Sequence, residues 1–265
     1  MVVLALSFIE AKADWLCTHP QLCQVVADYY KLSNIQAPKL TKAIASNKDP
    51  HEVEPTTTEL KNIYKARYLI TGARELHPWI TSILNLRSKK PELKTFSYDV
   101  NQDYLKRYPK SHKESLAHFW LYPDIKCDVF NKFQKWIERD KEPIECPYKE
   151  EALVLKDIKI EIPTIVSHDA IVPLLLSLGI EAYSIKGSGH HEEPNPKQLK
   201  EIHLLLKKHP KVLWIVEKQI HFPNAIEALK RKDDKIIHID TNRDYPSNKD
   251  APLIELAAFL KQTGL

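Results

Sequence analysis

The sequence predicts an α/β protein built in two halves, and three observations predict it. Short runs rich in β-branched and aromatic residues alternate with longer amphipathic runs along the chain. One helical stretch, residues 124–141, falls near the middle and joins an N-terminal half to a C-terminal half. The histidines and carboxylates with a chemical signature lie far apart in sequence, so folding must gather them, which argues for a cleft between the halves. Hydrophobic residues make up 43% of the chain, enough for a real core, and 28% charged residues is ordinary for a soluble surface.

At the N-terminus, Val2 to Ile9 form a short apolar run, and Ala11-Lys12-Ala13 fits the small-x-small pattern before a signal cleavage, leaving Asp14 first. A basic n-region is missing, so the alternatives are a start further upstream or a plain first strand. The export reading is preferred, with residues 1–13 as a signal remnant. Asp14-Trp15-Leu16 lacks the small residue a lipoprotein box needs before Cys17, and nothing else approaches a membrane span. Pro20 to Tyr30 reads as a helix with Leu22, Val25, Val26 and Tyr29 on one face. Residues 56–58, all threonine, can cap a helix at Glu59, and Tyr68 to Thr71 reads as a strand.

In the joining stretch, Ile125, Val129, Phe130, Phe133, Trp136 and Ile137 recur every three to four residues; Pro143 and Pro147 then end it. Strands follow at Thr164 to Val166, Val212 to Val216 and Ile236 to Ile239. Between them, Pro196 to Lys208 presents Leu199, Ile202, His203 and Leu206 on one helical face, and Ile254 to Thr263 closes the chain as a helix. Gly187 to Pro194, which holds His190-His191, is a loop.

Several function classes are excluded or weakened. A net charge of +4 with interspersed signs, and no basic stripe interleaved with aromatics, gives nucleic-acid binding little support. Only 5 glycines are present, and neither GxGxxG nor GxxxxGK[ST] occurs, which argues against dehydrogenases and NTPases. Cys17 and Cys23, and Cys127 and Cys146, are close enough for local bridges, but buried free thiols are the plainer reading of the four cysteines.

The residues with metal chemistry are His51, His118, His168 and Asp240. Three imidazoles and a carboxylate suit a borderline-soft divalent ion such as zinc; manganese prefers more oxygen donors and is the weaker candidate. His168, Asp240 and Glu217 each fall at the C-terminal end of a predicted strand, where ligands of open α/β sheets collect. Against this, a histidine beside aromatics, as His118 is, is more often a packed core residue, and Asp240 could simply begin a turn. His19, His112, His203, His209 and His221 read as helix-face or loop positions with no assigned role.

Sequence context changes that weighting. Asp49-Pro50-His51-Glu52-Val53-Glu54-Pro55-Thr56, with Leu60 and Lys65 to Ile70 after it, resembles the "DPHxxEPxxxD…ADLV" element of the cluster A-I metal-binding receptors of ABC importers. Thr71 to Trp79 is similar to "NGLxLExW", Ala117 to Pro123 to "PHxWLDP", and Val166 to Ala170 with Leu178-Gly179-Ile180 to "xHDAFxYxxxxYGL". Glu193 to Leu199 matches "EPSPxxL", and Ile215 to Gln219 matches "IFxExQ". The resemblance runs in order from Trp15 to the C-terminus.

It implies two (β/α) lobes, each with a mostly parallel sheet, bridged by a single helix, with metal at the lobe interface. The implied boundaries are residues 14–123, a linker region at 124–158, and 159–265. By position His51 and His118 come from the first lobe and His168 and Asp240 from the second, with Glu217, Asp169 and His77 as supporting groups. The implied protein is not an enzyme. It is an exported, monomeric periplasmic zinc carrier whose partner is a membrane permease.

The chain departs from the pattern in several places. Ala117 and Tyr122 replace a Pro and an Asp around His118, His77 stands where a Glu is usual, and the acidic His-rich loop of many zinc receptors is absent. The match around Asp240 is the thinnest, with Asp244 a nearby substitute. Two rivals remain. A zinc hydrolase would use His51, His118 and His168 as ligands and Asp240 as base, though no HExxH helix appears. The other rival is a metal-dependent surface adhesin.

Overall fold

The computed structural model describes residues 15–43, 53–72, 74–138, 140–156, 160–186, 194, 196–218, 223–241 and 252–263. The expected signal remnant, His51, the His190-His191 tract, His221 and Asp244 lie outside these residues.

Among the described residues the chain forms two sheets of four parallel strands each. The first contains β1 (Trp15–Cys17), β2 (Leu40–Lys42), β3 (Tyr68–Gly72) and β4 (Lys94–Tyr98), in the order β2-β1-β3-β4. The second contains β5 (Thr164–His168), β6 (Ala182–Lys186), β7 (Leu213–Glu217) and β8 (Lys235–Ile239), in the order β6-β5-β7-β8. The two orders are the same. In each sheet the chain runs outward from the first strand, then crosses back to build on its other side. That reversal opens a crevice beyond the C-terminal ends of β1 and β3, and another beyond β5 and β7.

The four strands expected from sequence are β3, β5, β7 and β8, within a residue or two. β3, β5 and β7 are runs buried on both faces, the signature of a parallel strand between helix layers, while the edge strand β8 exposes Lys235 and His238. In β3 and β4, Gly72 pairs with Tyr98, and a Cβ on Gly72 would lie 2.8 Å from the Tyr98 carbonyl oxygen. Only glycine lets the strands approach this closely.

The helices are α1 (Pro20–Leu32), α2 (Thr57–Lys65), α3 (Ile80–Arg87), α4 (Gln102–Arg107), α5 (Lys113–Leu116), α6 (Pro123–Ile137), α7 (Lys149–Lys156), α8 (Val172–Ser177), α9 (Pro196–Lys208), α10 (Pro223–Leu229) and α11 (Pro252–Thr263). Thr56 caps α2 in a full capping box with Glu59, as the threonine run predicts. On α1 the expected face of Leu22, Val25, Val26 and Tyr29 is buried. On α9 the buried face is Ile202, Leu205 and Leu206, with His203 exposed, so the predicted stripe is turned by part of a helical turn.

The joining helix is α6, and it ends at Ile137 rather than at residue 141. There Glu138 leaves helical geometry and accepts hydrogen bonds from the Tyr29 hydroxyl and the Lys141 ammonium. Ile125, Val129, Phe130 and Phe133 are fully buried, each stabilising the fold by roughly 1.5–3 kcal/mol through lost apolar exposure. They belong to one continuous core that runs from β1 and α1 through α6 to β5, β7, β8 and α11. Smaller clusters fill the other faces, β1 and β3 against α2 and α3, and β5 and β7 against α9 and α10.

Both halves secure a helix end with an arginine. Arg87 donates to the carbonyls of Ile63, Tyr64 and Ala66 at the end of α2, and Arg231 to those of Leu206 and His209 at the end of α9. The free-thiol reading of the cysteines is overturned: Cys17–Cys23 and Cys127–Cys146 are disulfides, each with Cα atoms 5.5 Å apart. The first ties β1 to α1. The second ties α6 to the segment before α7. Folding brings each pair to bonding distance in a way that sequence spacing leaves open.

Candidate metal-binding site

His168 is the last residue of β5 and Glu217 the last of β7, the two strands that flank the crevice of the second sheet. Asp240 follows the last residue of β8 and is half-buried. The strand-end placement expected for all three therefore holds. The His168 Nδ1 lies 3.5 Å from Glu217 Oε1, at the edge of hydrogen-bonding distance, and both side chains are buried. Glu217 Oε2 accepts a hydrogen bond from the Thr241 hydroxyl at 2.7 Å, and the Glu217 backbone N–H donates to Ser167 Oγ. Burial by itself would push the Glu217 carboxyl up, but His168, His118 and the Thr241 hydroxyl outweigh it and hold it below its usual range.

His118 enters from the other half, on the segment between α5 and α6. Its Nδ1 lies 3.2 and 3.3 Å from the carbonyl oxygens of Glu114 and Ser115. Carbonyls only accept, so Nδ1 carries the proton and the lone pair is on Nε2. The ring centre of His118 is 5.1 Å from that of His168, with the planes at 67°. Burial, aided by the adjacent His168, lowers the His118 imidazole from 6.5 to about 4. Protons therefore compete for this ring near pH 4, not near 6 as an unperturbed histidine would suggest.

Asp169 links the two halves. Its Oδ2 accepts from His112 Nε2 at 2.8 Å, while its Oδ1 is 3.7 Å from His168 Nε2. The Asp169 carboxylate pushes the His112 imidazole up. Tyr122, standing where the family pattern has Asp, donates from its buried hydroxyl to the Ala170 carbonyl of the second half. Among the described residues, Asp169 Oδ1 and Glu217 Oε1 are buried carboxylate oxygens with no hydrogen-bond partner. Such groups are costly in a protein interior unless a cation neutralises them.

The first sheet's crevice contributes two more imidazoles. His19 follows β1 and His77 follows β3, both are buried, and their ring centres are 6.2 Å apart. His19 stacks on Trp120 at 4.2 Å, and Trp120 in turn meets His118 at 5.2 Å. The Thr18 hydroxyl donates to that of Thr71 across the same crevice. His77, expected from sequence as an extra imidazole, is buried beside His19. His19 and His112, to which sequence reading assigns nothing, both adjoin these residues, His19 through Trp120 and His112 through Asp169. Nothing local in the sequence marks either residue, since the three-residue strand before His19 carries no signal of its own.

Among the described residues no group of three or more His, Cys, Asp or Glu side chains stands ready to hold a metal. His118 and His168 come together, with Glu217 and Asp169 beside them; His51 lies outside the described residues.

No family model matches the sequence, and no curated protein matches it. Solved structures do, over nearly the whole chain. A laminin-binding adhesin (Lmb) from Streptococcus agalactiae is 18% identical, with TM-score 0.66 over 95% of this chain and 98% of its own. ZnuA is 16% identical, with TM-score 0.65 over 92% and 98%. The periplasmic zinc-binding protein TroA from Treponema pallidum is 12% identical, with TM-score 0.66 over 93% and 95%. The chain has the two-lobe α/β fold of the cluster A-I metal-binding receptors, which are its structural neighbours.

Proposed function

We propose that this protein is an extracytoplasmic solute-binding protein that captures a divalent metal, zinc before manganese, and delivers it to the permease of an ABC importer. The lobes are residues 14–123 and 159–265, with 124–158 between them. His51 and His118 from one lobe and His168 and Asp240 from the other are the ligands, with Glu217 orienting His168.

One observation carries the reading: His118 and His168, from different halves, present their rings 5.1 Å apart in a buried crevice. Two imidazoles on one tetrahedral zinc, with Zn–N bonds of about 2.0–2.1 Å, place their ring centres about 5 Å apart. The Nδ1 proton directed to backbone carbonyls at His118 leaves its Nε2 for the metal, and the Glu217 carboxylate lies 3.5 Å from Nδ1 of His168 on the side where an orienting acceptor of a metal-bound histidine stands. The buried carboxylates of Asp169 and Glu217 beside His168 add the negative charge that favours a cation.

Two disulfides support an oxidising compartment and hence export. Among the described residues no helix is long and apolar enough to cross a membrane.

The test is titration calorimetry with zinc and manganese on the metal-stripped protein, with elemental analysis of the purified protein beside it. One zinc per chain is expected, with at least tenfold weaker binding in His118→Ala and His168→Ala and folding retained. Unchanged zinc binding in both variants refutes the ligand set. An adhesin role, suggested by the name of one structural neighbour, predicts instead that host-surface binding persists in both variants.

A further inference from the structure

We infer that His112 is a positioning residue for the metal site: one imidazole that fixes the His118 segment on one side and the Asp169–His168 corner on the other. The inference rests on the metal-binding reading of the site and adds a residue to it.

The geometry is a chain of contacts with His112 at its centre. Its Nδ1 accepts from the Ser115 backbone N–H at 3.2 Å, and its own backbone N–H donates to Ser115 Oγ at 3.2 Å, which closes a capping box at the start of α5. The middle two residues of that four-residue helix, Glu114 and Ser115, supply the two carbonyls that receive the His118 Nδ1 proton. The cap therefore sets where those carbonyls point, and they set the tautomer and orientation of His118.

Because Nδ1 of His112 accepts, the ring is the neutral tautomer that carries its proton on Nε2. That N–H reaches across to Asp169 Oδ2 at 2.8 Å. Held through one oxygen, Asp169 keeps the other, Oδ1, 3.7 Å from Nε2 of His168, too far for a hydrogen bond but close enough to act on that ring, or on a cation bound to it, by its charge. A single side chain thus acts on both proposed ligands, on His118 through a helix cap and on His168 through the position of the Asp169 carboxylate beside it. Outer groups of this kind commonly change metal affinity 10–100-fold when removed.

The variants separate the two arms. His112→Asn keeps a good capping side chain but is too short to reach Asp169. His112→Ala loses both contacts. In the metal-free protein, His112→Asn is expected to melt like wild type, while long-range ¹⁵N–¹H spectra show the His168 ring signals displaced. His112→Ala should also lower the melting temperature and mix the His118 tautomers. With zinc, both variants are expected to bind 10–100-fold more weakly than wild type in a chelator competition. The inference is overturned if His112→Asn leaves the His168 ring signals and the zinc affinity at wild-type values. It is also overturned if affinity falls only in proportion to lost melting temperature. Failure of the wild-type protein to bind zinc would refute the metal reading, whereas the ring spectra of the metal-free protein would still decide the positioning role.

Discussion

Acidification provides a direct probe of the crevice. His118 is buried and neutral in the folded protein, with its imidazole lowered from 6.5 to about 4, first by burial and then by the neighbouring His168. In the unfolded chain the same ring takes a proton near 6.5. The unfolded state therefore binds more protons between these two values, and stability falls as pH falls. The contribution is fully present above 6.5, declines through the window, and is gone below about 4. At about 1.4 kcal/mol for each tenfold change in proton affinity, the window is worth about 3 kcal/mol. Urea unfolding of the metal-free protein at several pH values from about 7.5 down to about 4 reads it directly. Wild type should lose about 3 kcal/mol more across that range than His118→Gln, which has no proton to gain. Parallel stability curves for the two proteins would refute the buried, neutral imidazole. The same reasoning keeps His118 competent for metal well below pH 6, so zinc binding lost wholly between pH 7 and 6 would point to protons at another ligand.

Two further predictions concern the frame that holds the halves together. Lys126 on α6 and Glu151 on α7 form a buried ion pair at 2.8 Å, with the ammonium also 4.0 Å from the centre of the Tyr148 ring. Lys126→Met should cost about 3–5 kcal/mol at neutral pH by stranding a buried carboxylate, whereas Lys126→Met with Glu151→Leu should recover most of it. Burial already raises the Glu151 carboxyl despite its partner, so the single-variant penalty should shrink in acid as that group protonates; equal urea midpoints for single and double variants would contradict this. Cys146→Ser opens the bridge to Cys127, 19 residues away. Loss of that loop constraint should cost about 3 kcal/mol in urea unfolding, and no change in midpoint would mean that the thiols are not bonded in solution.

Much of this protein is legible without coordinates because parallel strands buried on both faces are written as uninterrupted apolar runs. Tyr68 to Thr71, Thr164 to Val166 and Val212 to Val216 could be read that way, and Ile236 to Ile239 is apolar except for His238; the ends of the last three placed His168, Glu217 and Asp240 at the mouth of the second sheet. The other four strands carry no such signal. Trp15–Cys17 and Leu40–Lys42 are three residues each, and Lys94–Tyr98 and Ala182–Lys186 mix charged and polar residues into exposed or half-buried edges. They are strands because a neighbour offers its backbone, not because of their own composition.

The sequence by itself determined the fold class, the amphipathic helix that unites the halves, and the chemical identity of the candidate ligands, since each depends on residue type and local periodicity. Tertiary structure alone decided that four cysteines form two bridges and that His19 lies against Trp120. It alone decided that His112 faces Asp169 across the halves and that burial beside His168 strips His118 of its basicity. Those outcomes depend on distances between segments separated by tens of residues and on how far water is excluded from them, quantities that no local pattern of side chains encodes.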